Sequence, residues 1–230
     1  MPMPDKILIL GGIREASELA ARLVAEGHDV TTSLAGRTRE PKPPAGELHI
    51  GGFSSQTRSG AEGLAEYLRT NGFTRLIDCT HPFAHKISRN ASAAARLAGV
   101  PLETLTRPAW EKREGDDWTE VASLEEASAA IPANARVLLA LGSQHVRVFA
   151  NRQNVHFVVR MVDPPENELP LSDHTLVLGT PPKDAAAEII LLKTHRITHV
   201  VCRNSGGTGA YAKIEAARML GIPVIMVERN

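Results

Sequence analysis

Short apolar runs of the kind that form buried parallel strands alternate along this chain with stretches whose apolar positions recur at helical spacing. Lys6 to Leu10 reads as a strand, Arg14 to Glu26 as a helix and Asp29 to Leu34 as a strand, before a proline-rich loop around Pro41 to Pro44. That is a βαβ unit. The alternation continues with a strand at Leu48 to Ile50, a helix over Gly60 to Thr70, a strand at Leu76 to Thr80, a helix over Lys86 to Ala98 and a strand at Pro101 to Thr106. Strands separated by helices imply a parallel sheet.

Arg107 to Asp117 shows neither period and reads as a connection, after which the alternation restarts. A helix is expected over Leu124 to Ile131, a strand at Val137 to Leu141, a helix over Ser143 to Asn151, and strands at Val155 to Val162 and Thr175 to Leu178. Pro181-Pro182-Lys183 is expected to open a helix, because proline is tolerated in a first turn. Strands at His199 to Cys202 and Pro223 to Val227 flank a last helix over Ala210 to Leu220. The expected fold class is α/β, with two Rossmann-like domains of mainly parallel sheet, residues 1–106 and 107–230, around a cleft between them. Gly11-Gly12 to Val30 and Gly206-Gly207 to Val224 share a glycine turn, an alanine-rich helix and a strand; this reads either as a duplication or as the repetition native to any doubly wound sheet.

Composition narrows the functional classes. Lys plus Arg equals Asp plus Glu at 26 each, which removes a global electrostatic case for nucleic acid or an anionic membrane as partner. Cys79 and Cys202 are the only cysteines and both sit in apolar runs, so no disulfide framework or Cys-rich metal site is expected. His81 with His85 lacks a nearby third ligand, so no metal is assigned. The N-terminal run is too short for a signal or spanning segment, and a cytoplasmic location is expected.

Gly11-Gly12-Ile13-Arg14-Glu15 follows the first strand and opens the first helix, where backbone N–H groups and the helix dipole favour a phosphate. The spacing is not the full dinucleotide fingerprint, and a tight strand-to-helix turn explains it equally well. The second strand adds weight. It lacks the closing carboxylate of an NAD site and ends in Ser33, followed by Gly36, Arg37, Thr38 and Arg39, donors and cations suited to a ribose 2′-phosphate, so NADPH is the expected cofactor. Gly51, Gly52 and Phe53 end the third strand and Thr80, His81 and Pro82 the fourth, at the edge where such sheets bind ligands; these residues join the expected cofactor site. His81 is also expected to cap a helix begun by Pro82.

Taken together, Gly11-Gly12-Ile13-Arg14-Glu15-Ala16, Asp78-Cys79-Thr80-His81-Pro82-Phe83-Ala84, Gly142-Ser143-Gln144 and Arg203-Asn204-Ser205-Gly206-Gly207 with Lys213 resemble the precorrin-6A reductase family along nearly the whole chain. The Thr-His-Pro-Phe-Ala and Asn-Ser-Gly-Gly blocks are the specific parts. The resemblance implies two Rossmann-like domains and reduction of one double bond of a corrin precursor by reduced nicotinamide nucleotide, in cobalamin biosynthesis. Metal-free precorrin-6A, reduced to precorrin-6B, is the substrate it favours. The cobalt form, another NADP-dependent reductase or epimerase, and a non-catalytic NADPH sensor stay open beside it.

A precorrin carries many carboxylates and needs separated donors and cations. Arg14, Lys86, Ser143, Gln144, Arg203, Asn204, Ser205, Gly206, Gly207 and Lys213 are the expected substrate-binding residues, and Arg89, Arg107 and Arg160 also lie near strand ends. His81 is the candidate proton donor in a reaction whose hydride the cofactor carries. The expected partner is the tetrapyrrole itself, with transient contacts to neighbouring pathway enzymes as a further expectation.

Overall fold

A computed structural model describes residues 4–36 and 43–229. The chain divides into two compact units, Met1–Arg107 and Pro108–Asn230. Among the described residues, the first holds strands β1 (Lys6–Leu10), β2 (Asp29–Leu34), β3 (Glu47–Ile50), β4 (Arg75–Asp78) and β5 (Leu102–Thr104) in one parallel sheet, ordered β3-β2-β1-β4-β5. Its helices are α1 (Arg14–Ala25), α2 (Gly60–Thr70) and α3 (His85–Ala98). Alternate residues of β1 serve opposite faces: Ile7 and Ile9 pack under Ala16, Leu19, Ala20 and Leu23 of α1, while Leu8 and Leu10 pack under α2 and α3. The i, i+3, i+4, i+7 spacing on α1 is the amphipathic pattern of a helix with one buried stripe. α2 starts at a capping box, Ser59 and Glu62 serving each other's backbone N–H, and α3 stops at Gly99, whose φ of 69° suits glycine.

The second unit holds β6 (Trp118–Val121), β7 (Arg136–Leu139), β8 (His156–Met161), β9 (His174–Leu178), β10 (His199–Arg203) and β11 (Val224–Val227), ordered β6-β11-β10-β7-β8-β9 and parallel throughout. Its helices are α4 (Leu124–Ala130), a 3₁₀ helix at Ser143–Phe149, α5 (Ala185–Thr194) and α6 (Ala212–Leu220). Leu138, Val158 and Val200 pack with residues of α5 and α6 in one core of this unit.

Read from β9, the second sheet repeats the first, β7 to β11 taking the places of β1 to β5, with β6 added at the far edge. Local bonding repeats too. Thr74 Oγ1 accepts from the Lys6 N–H at 3.0 Å, and Thr198 Oγ1 accepts from the Arg136 N–H at 3.0 Å. Gly99 and Gly221 both end their helices at positive φ, and the next residues, Val100 and Ile222, donate back to Ala95 and Ala217. The two sheets therefore repeat one strand order, but the register of that repeat is not the one that the glycine turns suggest: Gly206-Gly207 follows β10, the counterpart of β4, whereas Gly11-Gly12 follows β1, the counterpart of β7.

Other expectations are corrected. Trp118–Val121 is a strand, β6, where the sequence suggested none. Pro181 and Pro182 lie outside α5, which starts at Ala185 with Asp184 accepting from the Ala187 N–H. His81 does not cap α3; the cap position is Ala84 and the helix begins at His85. Ser143 opens a 3₁₀ helix that ends at Phe149 rather than an α-helix reaching Asn151.

Candidate functional site

At the carboxyl edge of the first sheet, the turn after β1 is shaped by glycine for two different reasons. A Cβ on Gly11 would lie 2.9 Å from Thr32 Cγ2, so the turn can run this close to β2 only without a side chain. Gly12 has φ +118°, a conformation that L side chains rarely adopt. Ile13, at the cap position of α1, is extended and provides no side-chain cap, so the first turn meets its surroundings through backbone N–H groups, a geometry that accepts a phosphate. Arg14 is exposed and turned along its own helix to Glu18 at 2.6 Å, while Glu15 is engaged by Arg107 at 3.1 Å. Arg107 is brought to the α1 terminus from the end of the unit, a proximity no local sequence signal announces.

Ser33 is buried at the end of β2, and its carbonyl takes the Gly11 N–H at 2.9 Å. Arg37 and Thr38 lie outside the described residues. Gly51 closes β3 at φ +129° and donates to Leu34 O; a Cβ on Gly52 would meet nothing within 4 Å, so this turn too stays open. Phe53 turns the other way, its ring stacked on His49 at 5.0 Å and packed with Tyr67, so it supports the core beneath the turn.

After β4, Asp78 is buried and accepts from the Thr80 N–H at 3.1 Å and the Thr80 hydroxyl at 2.7 Å. That fixes the loop from which His81 projects. His81 Nδ1 accepts from the Phe83 N–H at 3.3 Å, which leaves the proton of a neutral ring on Nε2. Pro82 follows in the same half-buried loop, and Lys86 is exposed on the first turn of α3. Burial pushes the Cys79 thiol up to about 11, with the Glu15 and Asp78 carboxylates adding and Arg107 opposing, so this sulfur is no nucleophile near neutrality.

In the second unit, Ser143 and Gln144 are exposed at the start of the 3₁₀ helix, behind Gly142. The turn after β10 is organised around Trp110. Asn204 Oδ1 accepts from the Trp110 N–H at 2.7 Å and its Nδ2 donates to Trp110 O at 2.9 Å. Gly207 O accepts from the indole N–H at 2.7 Å, and Lys213 lies 4.8 Å from the same ring with Nζ donating to Ala210 O at 2.6 Å. Asn204 and Lys213 thus build the turn from beneath. Gly206 and Gly207, at φ 66° and 64°, and Ser205, whose hydroxyl donates to Arg203 O at 3.3 Å, form its outer path, with Arg203 at the strand end. Trp110 is the member that sequence reasoning missed, since its partners lie far along the chain. No cluster of three metal-ligating side chains occurs among the described residues, and none of their helices is long and apolar enough to cross a membrane.

Paired parallel sheets of this strand order, with glycine turns and donors gathered at their carboxyl ends, define a Rossmann-like protein of the doubly wound α/β class. The precorrin-6x reductase family CbiJ/CobK matches residues 6–230. The chain belongs to that family. It is 45% identical to the precorrin-6A reductase of Rhodobacter capsulatus over 97% of this chain and 88% of that protein. A solved CobK precorrin-6A reductase superposes with a TM-score of 0.93 at 44% identity, covering 99% of this chain and 89% of its own. The cobalt-precorrin-6A reductase of Priestia megaterium is 27% identical over 97% of this chain and 90% of its length.

Proposed function

We propose that this protein is an NADPH-dependent precorrin-6A reductase of cobalamin biosynthesis, acting on the metal-free macrocycle and yielding precorrin-6B. The observation that carries this reading is the nearly full-length 45% identity to a precorrin-6A reductase, against 27% to a cobalt-precorrin-6A reductase.

The first unit is assigned the cofactor. Its backbone-lined turn at Gly11 to Glu15 suits a pyrophosphate, Ser33 with Arg37 and Thr38 suits the ribose 2′-phosphate, and the turns at Gly51–Gly52 and Thr80–Pro82 complete the set. Bound there, NADPH supplies a hydride. Reduction of one C=C bond adds that hydride to one carbon and a proton to the other. His81 is assigned the proton, because its Nδ1 is occupied by the Phe83 N–H and its Nε2 therefore presents a donor. The second unit is assigned the substrate carboxylates, through Arg203, the Ser205 to Gly207 path, Ser143 and Gln144, with Asn204 and Lys213 holding the turn in shape; Arg14 and Lys86 extend this set from the first unit. Two free, buried cysteines support a cytoplasmic setting, where passing contacts with neighbouring pathway enzymes would deliver and remove the tetrapyrrole.

The test is NADPH oxidation followed with precorrin-6A and cobalt-precorrin-6A side by side. Turnover of the metal-free compound with clear preference over the cobalt form is expected. Turnover of the cobalt form alone would overturn the substrate assignment, and NADH used as well as NADPH would overturn the cofactor assignment.

A further inference from the structure

The second unit seals one ion pair inside itself. Arg160, near the end of β8, is 8% exposed and Glu188, in the first turn of α5, is 1% exposed; Arg160 Nη1 donates to Glu188 Oε1 at 2.6 Å. Glu188 Oε2 is buried without a hydrogen-bond partner. Such a pair is a poor way to stabilise a fold, because desolvation offsets the attraction and well-packed apolar side chains usually serve as well or better.

The repeated strand order supplies an internal control. Residue Arg160 stands four positions into β8 from His156, which pairs with Arg136; Ser33 stands four positions into β2 from Asp29, which pairs with Lys6. Leu192 and Leu68 accept the equivalent N–H of Ile197 and Phe73, and four residues earlier lie Glu188 and Leu64. By the same reasoning through the glycine ends of α6 and α3, Lys213 matches Ala91. Ser33, Leu64 and Ala91 are all buried in the first unit, whose charge in this layer is the Asp78 carboxylate, held by Thr80 and standing in register where the second unit has Cys202. In the second unit the layer holds two cations and one carboxylate: Arg160 stands two residues from Val158, on the strand face that packs in the core with Cys202, and Lys213 lies on Trp110 of that same core, both opposing the rise that burial imposes on the Cys202 thiol.

Arg160 is also not sealed completely. The Glu188 contact engages Nη1; Nε and Nη2 make no hydrogen bond among the described residues, yet neither is cut off from solvent. A guanidinium held through one nitrogen, with donors to spare on the other two, is a ready ligand for a carboxylate.

We propose that Arg160 binds a carboxylate of the tetrapyrrole and that Glu188 is the positioning residue that holds its guanidinium for that contact. This rests on the assignment of the substrate to the second unit.

The experiment compares Arg160→Ala, Glu188→Gln and the double variant Arg160→Ser/Glu188→Leu, which copies the first unit's solution, by steady-state kinetics with precorrin-6A, by NADPH titration and by thermal melting. Arg160→Ala should raise KM for precorrin-6A about 10- to 100-fold with NADPH affinity unchanged, as expected for loss of a charge-assisted contact. Glu188→Gln should raise KM about 3- to 10-fold with Arg160 still present. The double variant should melt at or above the parent temperature and keep the KM defect. A folded double variant with parental KM would overturn the proposal, and so would a double variant that fails to fold, since the pair would then be structural. Lys213→Ala and Arg203→Ala separate this from the underlying reading: if they lose NADPH and keep precorrin-6A, the roles of the units are reversed, whereas if they lose precorrin-6A while the double variant does not, only Arg160 and Glu188 are misassigned.

Discussion

After β4, the first unit closes its turn with Asp78 holding the hydroxyl and N–H of Thr80; after β10, the second closes the matching turn with Asn204 clamping the backbone of Trp110. The strand order beneath is the same, and so are the threonine clamps at the other end of the sheet. The difference is in how each edge is charged. The first keeps it open and lined by backbone, with glycine where a side chain would collide or strain. The second inserts Lys213, Arg160 and Glu188 where its twin has Ala91, Ser33 and Leu64. One scaffold thus carries a backbone-lined edge in the first unit and buried cations under a loop in the second, and the proposed division between a diphosphate and scattered carboxylates rests on that difference.

The sharpest way to break this comparison is to remove the two loop fasteners. Asn204→Ala should destabilise the second unit by about 2–4 kcal/mol, because two buried backbone groups of Trp110 lose their partners, whereas Thr80→Ala should cost about 1 kcal/mol. Urea unfolding would measure both, and equal losses would mean that the two turns are fastened alike. Next in size, Arg37→Ala should weaken NADPH by about 1–3 kcal/mol and leave NADH nearly unaffected. Equal loss of both cofactors in titration would remove the 2′-phosphate from that loop.

Much of the scaffold was legible in the sequence. The β1 boundary follows from the apolar run Ile7 to Leu10, that of β2 from a β-branched stretch between the end of α1 and the glycine turn, and α2 from its helical spacing, all local signals. β6 escaped because four residues with buried Trp118 and Val121 at the ends and polar residues between show neither period. The Trp110 hub escaped for another reason: Asn204 is 94 residues away, and an asparagine in a glycine turn looks like a ligand contact until its amide is seen to be occupied. The glycine turns suggest one pairing of the two halves, whereas Gly99-Val100-Pro101 and Gly221-Ile222-Pro223 mark the register in which the strand orders coincide.

That register yields a finer test. Thr74→Val and Thr198→Val should each cost about 1 kcal/mol, since each deletes the same pair of contacts to a strand start. A difference much larger than the error of chemical denaturation would show that the units depend unequally on their clamps. Smallest near neutrality, and growing only in alkali, is a pH effect confined to the first unit. The Cys79 thiol ionises at 9.0 when unperturbed and at about 11 in the fold, so the folded state retains its proton longer and stability is fully present below about pH 9, then falls as pH rises to about 11. Cys79→Ala should flatten that decline in a pH series of melting temperatures.

The place of β6 has a consequence for how the chain is made. Its hydrogen-bonding partner is β11, the last strand, with Val121 in register with Val227. A ribosome therefore delivers β6 early and the strand that receives it last, so this short segment must wait through synthesis of nearly the entire second unit. Closing so long a loop makes the pairing a late and slow event. A nascent chain stalled before Val224 would leave Trp118 without its strand neighbour, and the quality-control machinery of the cell would meet a second sheet with an unfinished edge.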